Sequence, residues 1–200
     1  CDRPDSGRRR AARTVLDEIF DCVTAWLAPV LCFTAEEAWL ARGAKGAESV
    51  HLRLYPEIPA EWRDDELAAK WEKVRALRRV VTGALEIERA SGRIGSSLQA
   101  HPTVYAAPEF VAAMAGVDLA EIAITSAATL VEAARPEDFP QGAFTLPEVP
   151  GVAVVPGRAE GEKCVRCWRV LPEVGEARGG EPVCRRCADA VEHLMAATGS

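Results

Sequence analysis

Cys164-Val165-Arg166-Cys167-Trp168 and Cys184-Arg185-Arg186-Cys187, with sixteen residues between them, are two Cys-x-x-Cys pairs near the end of a 200-residue chain. Two residues between thiols let one tight turn aim both sulfurs at one centre, and a second such turn completes a tetrahedron at a zinc–sulfur distance of about 2.3 Å. One structural zinc ion on Cys164, Cys167, Cys184 and Cys187 is the expectation. Four thiolates leave no coordination position for water or substrate, so such an ion carries no reaction. An iron centre, a redox dithiol or a pair of disulfides are the competing readings of the same spacing, and no secretory signal precedes it to favour an oxidising compartment.

Around the pairs, Arg169-Val170-Leu171 and Glu181-Pro182-Val183 flank a turn holding Gly175, Gly179 and Gly180, which predicts one hairpin with a knuckle at each side. After Cys187, residues Val191, Leu194 and Met195 recur at helical spacing over 188–197, which predicts a helix packing back on that hairpin. A module this small buries too little apolar surface to fold unaided, so metal ligation supplies folding free energy on the order of 10 kcal/mol.

Upstream, residues 9–40 read as helix, with Val15, Ile19, Cys22, Val23, Trp26 and Val30 at the spacing of a buried stripe. Pro29 interrupts it, with Thr34 capping a new start before Glu36 and Glu37. Gly43, Gly46, Pro56 and Pro59 mark a connection, inside which alternating Val50, Leu52 and Leu54 predict a short extended segment. A second long helix runs from Asp64 to Ala90, capped by Asp64 or Asp65, with Leu67, Trp71, Val74, Leu77, Val81 and Leu85 on one face. Ser91, Gly92 and Gly95 stop it, and a first domain boundary falls there. Beyond it, strands are expected at 101–106, 121–126 and 152–155 with a short helix at 108–114, a small α/β module. The proline-rich stretch through Pro136, Pro140, Pro147, Pro150 and Pro156 links it to the cysteines. The fold class is therefore mainly α: a helical bundle over 1–95, the α/β module over 96–160, and a four-cysteine finger of hairpin plus helix over 161–200.

Net charge is −6, which argues against a nucleic-acid partner only if charge is spread evenly. It is not. Between positions 70 and 93 seven basic residues (Lys70, Lys73, Arg75, Arg78, Arg79, Arg89, Arg93) face three acids, whereas between 109 and 162 nine acids face only Arg135 and Arg158. The cysteine module is basic again through Lys163, Arg166, Arg169, Arg178, Arg185 and Arg186. No apolar run of about 18 residues exists to span a bilayer, and the compartment expected is cytosolic. A chain starting at Cys1 rather than Met is expected to be a fragment of a longer product.

Taken in order, the run Leu27-Ala28-Pro29-Val30-Leu31-Cys32-Phe33-Thr34-Ala35-Glu36-Glu37-Ala38-Trp39, the segment Ser49-Val50-His51-Leu52, and the knuckle Cys164-Val165-Arg166-Cys167-Trp168 resemble the C-terminal part of bacterial isoleucyl-tRNA synthetases over nearly the whole chain. The first run is shared by the class I synthetases for aliphatic amino acids and methionine; the knuckle followed by Trp narrows it to the isoleucine enzymes. The resemblance implies a helical anticodon-binding domain and a terminal zinc finger that helps hold the tRNA. The intact enzyme would activate isoleucine with ATP and load it on its tRNA. The two nucleotide-binding signatures and the editing domain are absent here, so ATP belongs to a catalytic domain missing from this chain, and this part alone is expected to be inactive. The implied partners are tRNA and the catalytic body of the same enzyme, with no membrane, in a monomer.

On that reading Lys70, Lys73, Arg78 and Arg79 would follow the RNA backbone, against the alternative of a solvated helix face. Arg166, Arg169, Arg185 and Arg186 would contact phosphates from the knuckles. Trp168 would stack on an unpaired base or, alternatively, cover the hairpin core. His51, His101 and His193 have no nucleophile or second ligand near them in sequence and take no catalytic role. Trp26, Trp39, Trp62 and Trp71 are expected in cores, with Cys22 and Cys32 as small buried groups. Two other functions compete: the zinc-finger tail of a DNA-repair glycosylase, and a zinc module for protein interaction.

Overall fold

Helical periodicity and three small sheets organise the residues that the computed structural model describes: 2–43, 49–176 and 180–198. Cys1, Gly46, Arg178 and Gly179, singled out in the sequence, lie outside them. The chain packs as two compact units, one of residues 64–192 and one of residues 2–63 with the end of the chain from 193.

In the smaller unit, α1 (Gly7–Leu27) is capped by the Ser6 hydroxyl, which accepts from Arg9 N. Pro29 sits in the break, as expected. The chain re-enters helix earlier than expected, in α2 (Cys32–Arg42), with Leu31 and not Thr34 at the cap position. Leu31 O there accepts from Ala35 N at 2.8 Å, so Thr34 falls inside the first turn. The expected extended segment is instead a single 3-10 turn, Val50–Leu52. Ser49 Oγ accepts from His51 N, and the Glu36 carboxylate accepts from Val50 N at 2.8 Å and from Ser49 Oγ at 3.1 Å. Those capping bonds tie the backbone down locally and drive Val50 into a core with Ala28, Ala35 and Trp39, which outweighs the alternating pattern.

Of the expected stripe on α1, Cys22 is buried, as expected, beside Thr24, Ala25 and the capping Ala28, whereas Val15, Ile19, Val23, Trp26 and Val30 are 40–77% exposed. Small residues on the buried side let α1 lie close to α2, and the large apolar arc is left facing outward. Trp39 is the one tryptophan of the four that is fully buried, stacked on Phe20 and covered by the Arg53 guanidinium at 4.1 Å. Trp26 and Trp62 are about half exposed, and Cys32 is exposed at the start of α2.

The larger unit is built on α3 (Asp65–Ala90), whose cap is Asp64, accepting from Leu67 N at 2.8 Å. Its buried face is Val74, Leu77, Val80, Val81, Ala84 and Leu85, each fully buried Val or Leu stabilising by about 1.5–3 kcal/mol. They pack on β1 (Thr103–Ala106) and on a strand that follows later, reached through α4 (Pro108–Ala113), α5 (Leu119–Ala123) and β2 (Thr129–Glu132). β1 and β2 are parallel, and α4 with α5 supply the crossover that a parallel pair requires. β3 (Phe144–Thr145) and β4 (Val152–Val155) complete a sheet of order β2-β1-β4-β3.

The strand expected at 121–126 is corrected to α5. Asp118 Oδ1 accepts from Ala120 N and Glu121 N, a helix-start signal, and Ile124 at φ 56° closes the turn. The two edge strands of this sheet, β2 and β3, are strands that the sequence reading missed. Gly83 on α3 leaves room for Phe144, whose ring would stand 2.9 Å from any Cβ added there. Because α3 shares its core with this sheet, one compact unit begins at residue 64 and continues through residue 95. The glycines end the helix without ending the hydrophobic packing.

The cysteine module forms two minimal hairpins in place of the one expected. β5 (Glu162–Lys163) pairs with β6 (Val170–Leu171), and β7 (Gly175–Glu176) pairs with β8 (Pro182–Val183). The β5–β6 hairpin encloses the first knuckle, whereas the second follows β8 directly and runs into the terminal helix. Gly161, at φ 107°, takes the place where the chain passes against the Leu171 backbone, and a Cβ there would overlap that peptide. The terminal helix α6 (Arg185–Thr198) starts before Cys187 and not after it.

Candidate metal centre and nucleic-acid face

The four predicted cysteines converge. One sulfur from each of Cys164, Cys167, Cys184 and Cys187 lies within 4.8 Å of all the others, and Cys167 Sγ is 3.7 Å from Cys184 Sγ. A tetrahedron of thiolates around zinc requires sulfur–sulfur edges of about 3.8 Å, whereas a disulfide requires about 2.05 Å. The geometry therefore fits one bound metal ion, and all four cysteines are free of disulfides. Cys164, Cys184 and Cys187 are buried, with Val183 and partly buried Leu171, Val174 and Ala188 around them.

Backbone bonds hold each knuckle. Cys164 O accepts from Trp168 N at 2.8 Å, Cys164 N donates to Arg169 O at 2.9 Å, and Val165 N reaches across to Pro182 O at 3.0 Å. Cys184 stands immediately before α6 and Cys187 in its first turn, so the second knuckle is a helix N-terminus, whose partial positive charge favours thiolates. Burial pushes the Cys164 thiol up, but hydrogen bonds from the Cys167, Cys184 and Arg166 backbones outweigh it and bring it down to about 6. Burial pushes the Cys187 thiol up to about 12, with neighbouring thiols adding to the rise and the Arg166 guanidinium opposing it. Burial raises Cys184 as well. Four sulfurs this close cannot all ionise alone; a dication among them removes that penalty and releases protons on binding.

The predicted nucleic-acid residues divide by what they touch. Trp168 does not cover a core: it is 61% exposed, with Lys163 Nζ 5.3 Å from its ring centroid. Its backbone is left-handed, at φ 67°, an arrangement that costs a bulky residue on the order of 1–3 kcal/mol. Arg185 is exposed, and so are Lys73 and Arg79 on α3. The other candidates grip the protein. Lys70 Nζ donates to Ala115 O and Arg78 Nε to Ile122 O, both at 2.7 Å, satisfying a carbonyl just past the end of α4 and one in the last turn of α5. Arg166 donates to Cys187 Sγ, Arg186 pairs with Glu121 at 3.4 Å, and the Arg169 guanidinium donates twice to Ser126 O. Lys163 and Ser126 are the partners that sequence reasoning missed; Lys163 carried a signal in its charge, but Ser126, 43 positions before Arg169, carried none. His51 bonds Cys32 O and His101 bonds Thr129 Oγ1.

Residues 1–104 match the family described as the anticodon-binding domain of tRNA ligase, and the chain belongs to that family. Beyond the family, the chain is similar to the isoleucine–tRNA ligases of Brucella abortus (54% identity over 197 residues), Agrobacterium fabrum (52% over 197) and Rhodopseudomonas palustris (50% over 201). These alignments cover 98%, 98% and 100% of this chain, which spans 20% of the length of each relative. The match leaves the repair-glycosylase reading without support.

Proposed function

We propose that this chain is the tRNA-binding portion of an isoleucine–tRNA ligase, with one zinc ion on its four cysteines. Trp168 carries the reading. A large aromatic ring stands exposed beside a lysine, on a backbone conformation it occupies at a cost, in a family that binds anticodons. Stacking on an unpaired base stabilises by roughly 1–3 kcal/mol and compensates that cost in the complex. Lys163, Arg185, Lys73 and Arg79 supply phosphate contacts. Joining isoleucine to its tRNA with ATP is the work of the catalytic body outside this chain, in the cytosol; no helix among the described residues is long and apolar enough to cross a membrane. The chain acts as a monomer.

The outward apolar arc of α1 supports a place in a larger body. Val15, Leu16, Ile19, Val23 and Trp26 are each 40–63% exposed, and the relatives carry four fifths of their length elsewhere. The catalytic body of the same polypeptide covers that arc. Titrating labelled tRNA transcripts into the zinc-loaded chain tests the function: the isoleucine acceptor is expected to bind, with log K falling against log salt by about 0.7–0.9 per phosphate neutralised, and a chelator is expected to weaken it. Equal affinity for unrelated tRNAs with and without zinc would overturn the reading.

A further inference from the structure

Resting on that reading, we infer that Ser126 and Arg169 form a clasp that positions the metal finger on the sheet module, Arg169 acting as a strut and not as a phosphate contact. Ser126 is fully buried. Every polar group it has is engaged, to two separate segments, 98–100 and 169–170. Its N–H donates to Ala100 O at 3.2 Å, its hydroxyl donates to Leu98 O and accepts from Val170 N at 2.6 Å, and its carbonyl accepts both Nε (3.1 Å) and Nη2 of Arg169. Val170 opens β6, and Arg169 O holds Cys164 N, so the same two residues that seat in Ser126 close the first knuckle on its other side.

A single-residue socket of this kind sets direction. Trp168 immediately precedes Arg169, and fixing Arg169 and Val170 fixes where the ring and Lys163 point. Arg186 on Glu121 adds a second brace from the other knuckle to the same module, 3.4 Å apart. A guanidinium donating two bonds to one carbonyl has a planar fork that lysine cannot reproduce, although lysine keeps the charge. Strut and phosphate contact therefore predict opposite results for Arg169→Lys.

The zinc-loaded chain and its Arg169→Lys, Arg169→Gln and Ser126→Ala variants are compared by amide hydrogen exchange and by tRNA binding across a salt series. Exchange at the Val170 amide is expected to quicken roughly tenfold or more in Arg169→Lys and Ser126→Ala. Affinity for the isoleucine acceptor is expected to fall roughly tenfold in both Lys and Gln variants, with the salt slope unchanged. Arg169→Lys leaves Ser126 in place, so it reads the clasp even if Ser126→Ala, which strips a buried amide of its acceptor, loses its fold. Full affinity in Arg169→Lys, with a slope reduced by about one in Arg169→Gln, makes Arg169 a phosphate contact and overturns the strut. Unchanged Val170 exchange in both Arg169→Lys and Ser126→Ala overturns the clasp whether or not RNA binds. Loss of tRNA binding by the unaltered chain overturns the functional reading alone, because the exchange measurement stands without RNA.

Discussion

Trp168 holds a backbone conformation in which glycine would be unstrained, at φ 67° directly after the second ligand of its knuckle. Substitution for stability alone would favour glycine there. Trp168→Gly is expected to leave the metal-loaded finger as stable as before or stabler by up to about 1 kcal/mol, the relief of strain offset in part by the added freedom of the unfolded chain. The same variant is expected to weaken tRNA binding by about 1–3 kcal/mol, the stacking contribution. Thermal melts and binding titrations moving in opposite directions would separate function from packing; a destabilised finger would return Trp168 to a structural role. At the end of α3, Arg93 donates to both oxygens of Glu88, at 2.6 and 2.5 Å, and these bonds hold the carboxyl below its ordinary value of 4.5, with burial opposing. A depressed carboxylate contributes stability that is complete above the ordinary value and lost as pH falls through the folded one. Glu88→Gln is expected to cost less than about 1 kcal/mol at neutral pH, since the pair is near solvent. The gap to the unaltered chain should close as pH drops below 4.5, and a gap that persists in acid would refute the pairing.

Among the elements, those with their own punctuation were legible in the sequence. Asp64 and the glycines after Ala90 bracket α3; Pro108 at the first turn of α4, and the apolar runs of β1 and β4, were readable in the same way. The metal site was legible because its chemistry depends on spacing that the sequence displays directly. What misled was competition between signals. Asp118 turned an apparent strand into α5, and Glu36 with Ser49 turned an apparent strand into a 3-10 turn, because a side-chain cap from outside the pattern satisfies backbone groups that a strand would otherwise pair. The α3 cations could not be sorted from charge alone either: Lys73 and Arg79 stay on the surface while Lys70 and Arg78, in the same helix, reach carbonyls 44 or 45 residues away. Gly161 is the element-level test. Gly161→Ala places a methyl group into the Leu171 peptide on a left-handed backbone, so β5 and β6 should part and metal affinity fall by tenfold or more, on the scale of about 1–3 kcal/mol for strain of this kind. Undiminished metal uptake by that variant would show that the hairpin tolerates the shift.

For the molecule as a whole, the outward face of α1 inverts the usual placement of apolar residues. A helix that buries Thr24, Ala25 and Ala28 and exposes Ile19 and Trp26 is stable in isolation only at the expense of wetting its best packing surface. Ile19→Glu is expected to make this chain alone more soluble and less prone to bind apolar dyes, with stability changed by about 0.5 kcal/mol or less. In the full-length ligase proposed above, the same substitution is expected to destabilise by about 1.5–3 kcal/mol if the catalytic body buries that side chain. Equal effects in both contexts would show that nothing covers the arc.

Cys184 stands where a capping serine or aspartate ordinarily begins a helix, and its carbonyl accepts the first α-helical bond, from Ala188 N at 2.9 Å. An ion held by the four cysteines would do the job of a cap as well as a staple. Whatever stripped it, a chelator or a competing thiol, would also unpin the start of the last helix, so mineral supply and the ordering of that helix would be one equilibrium.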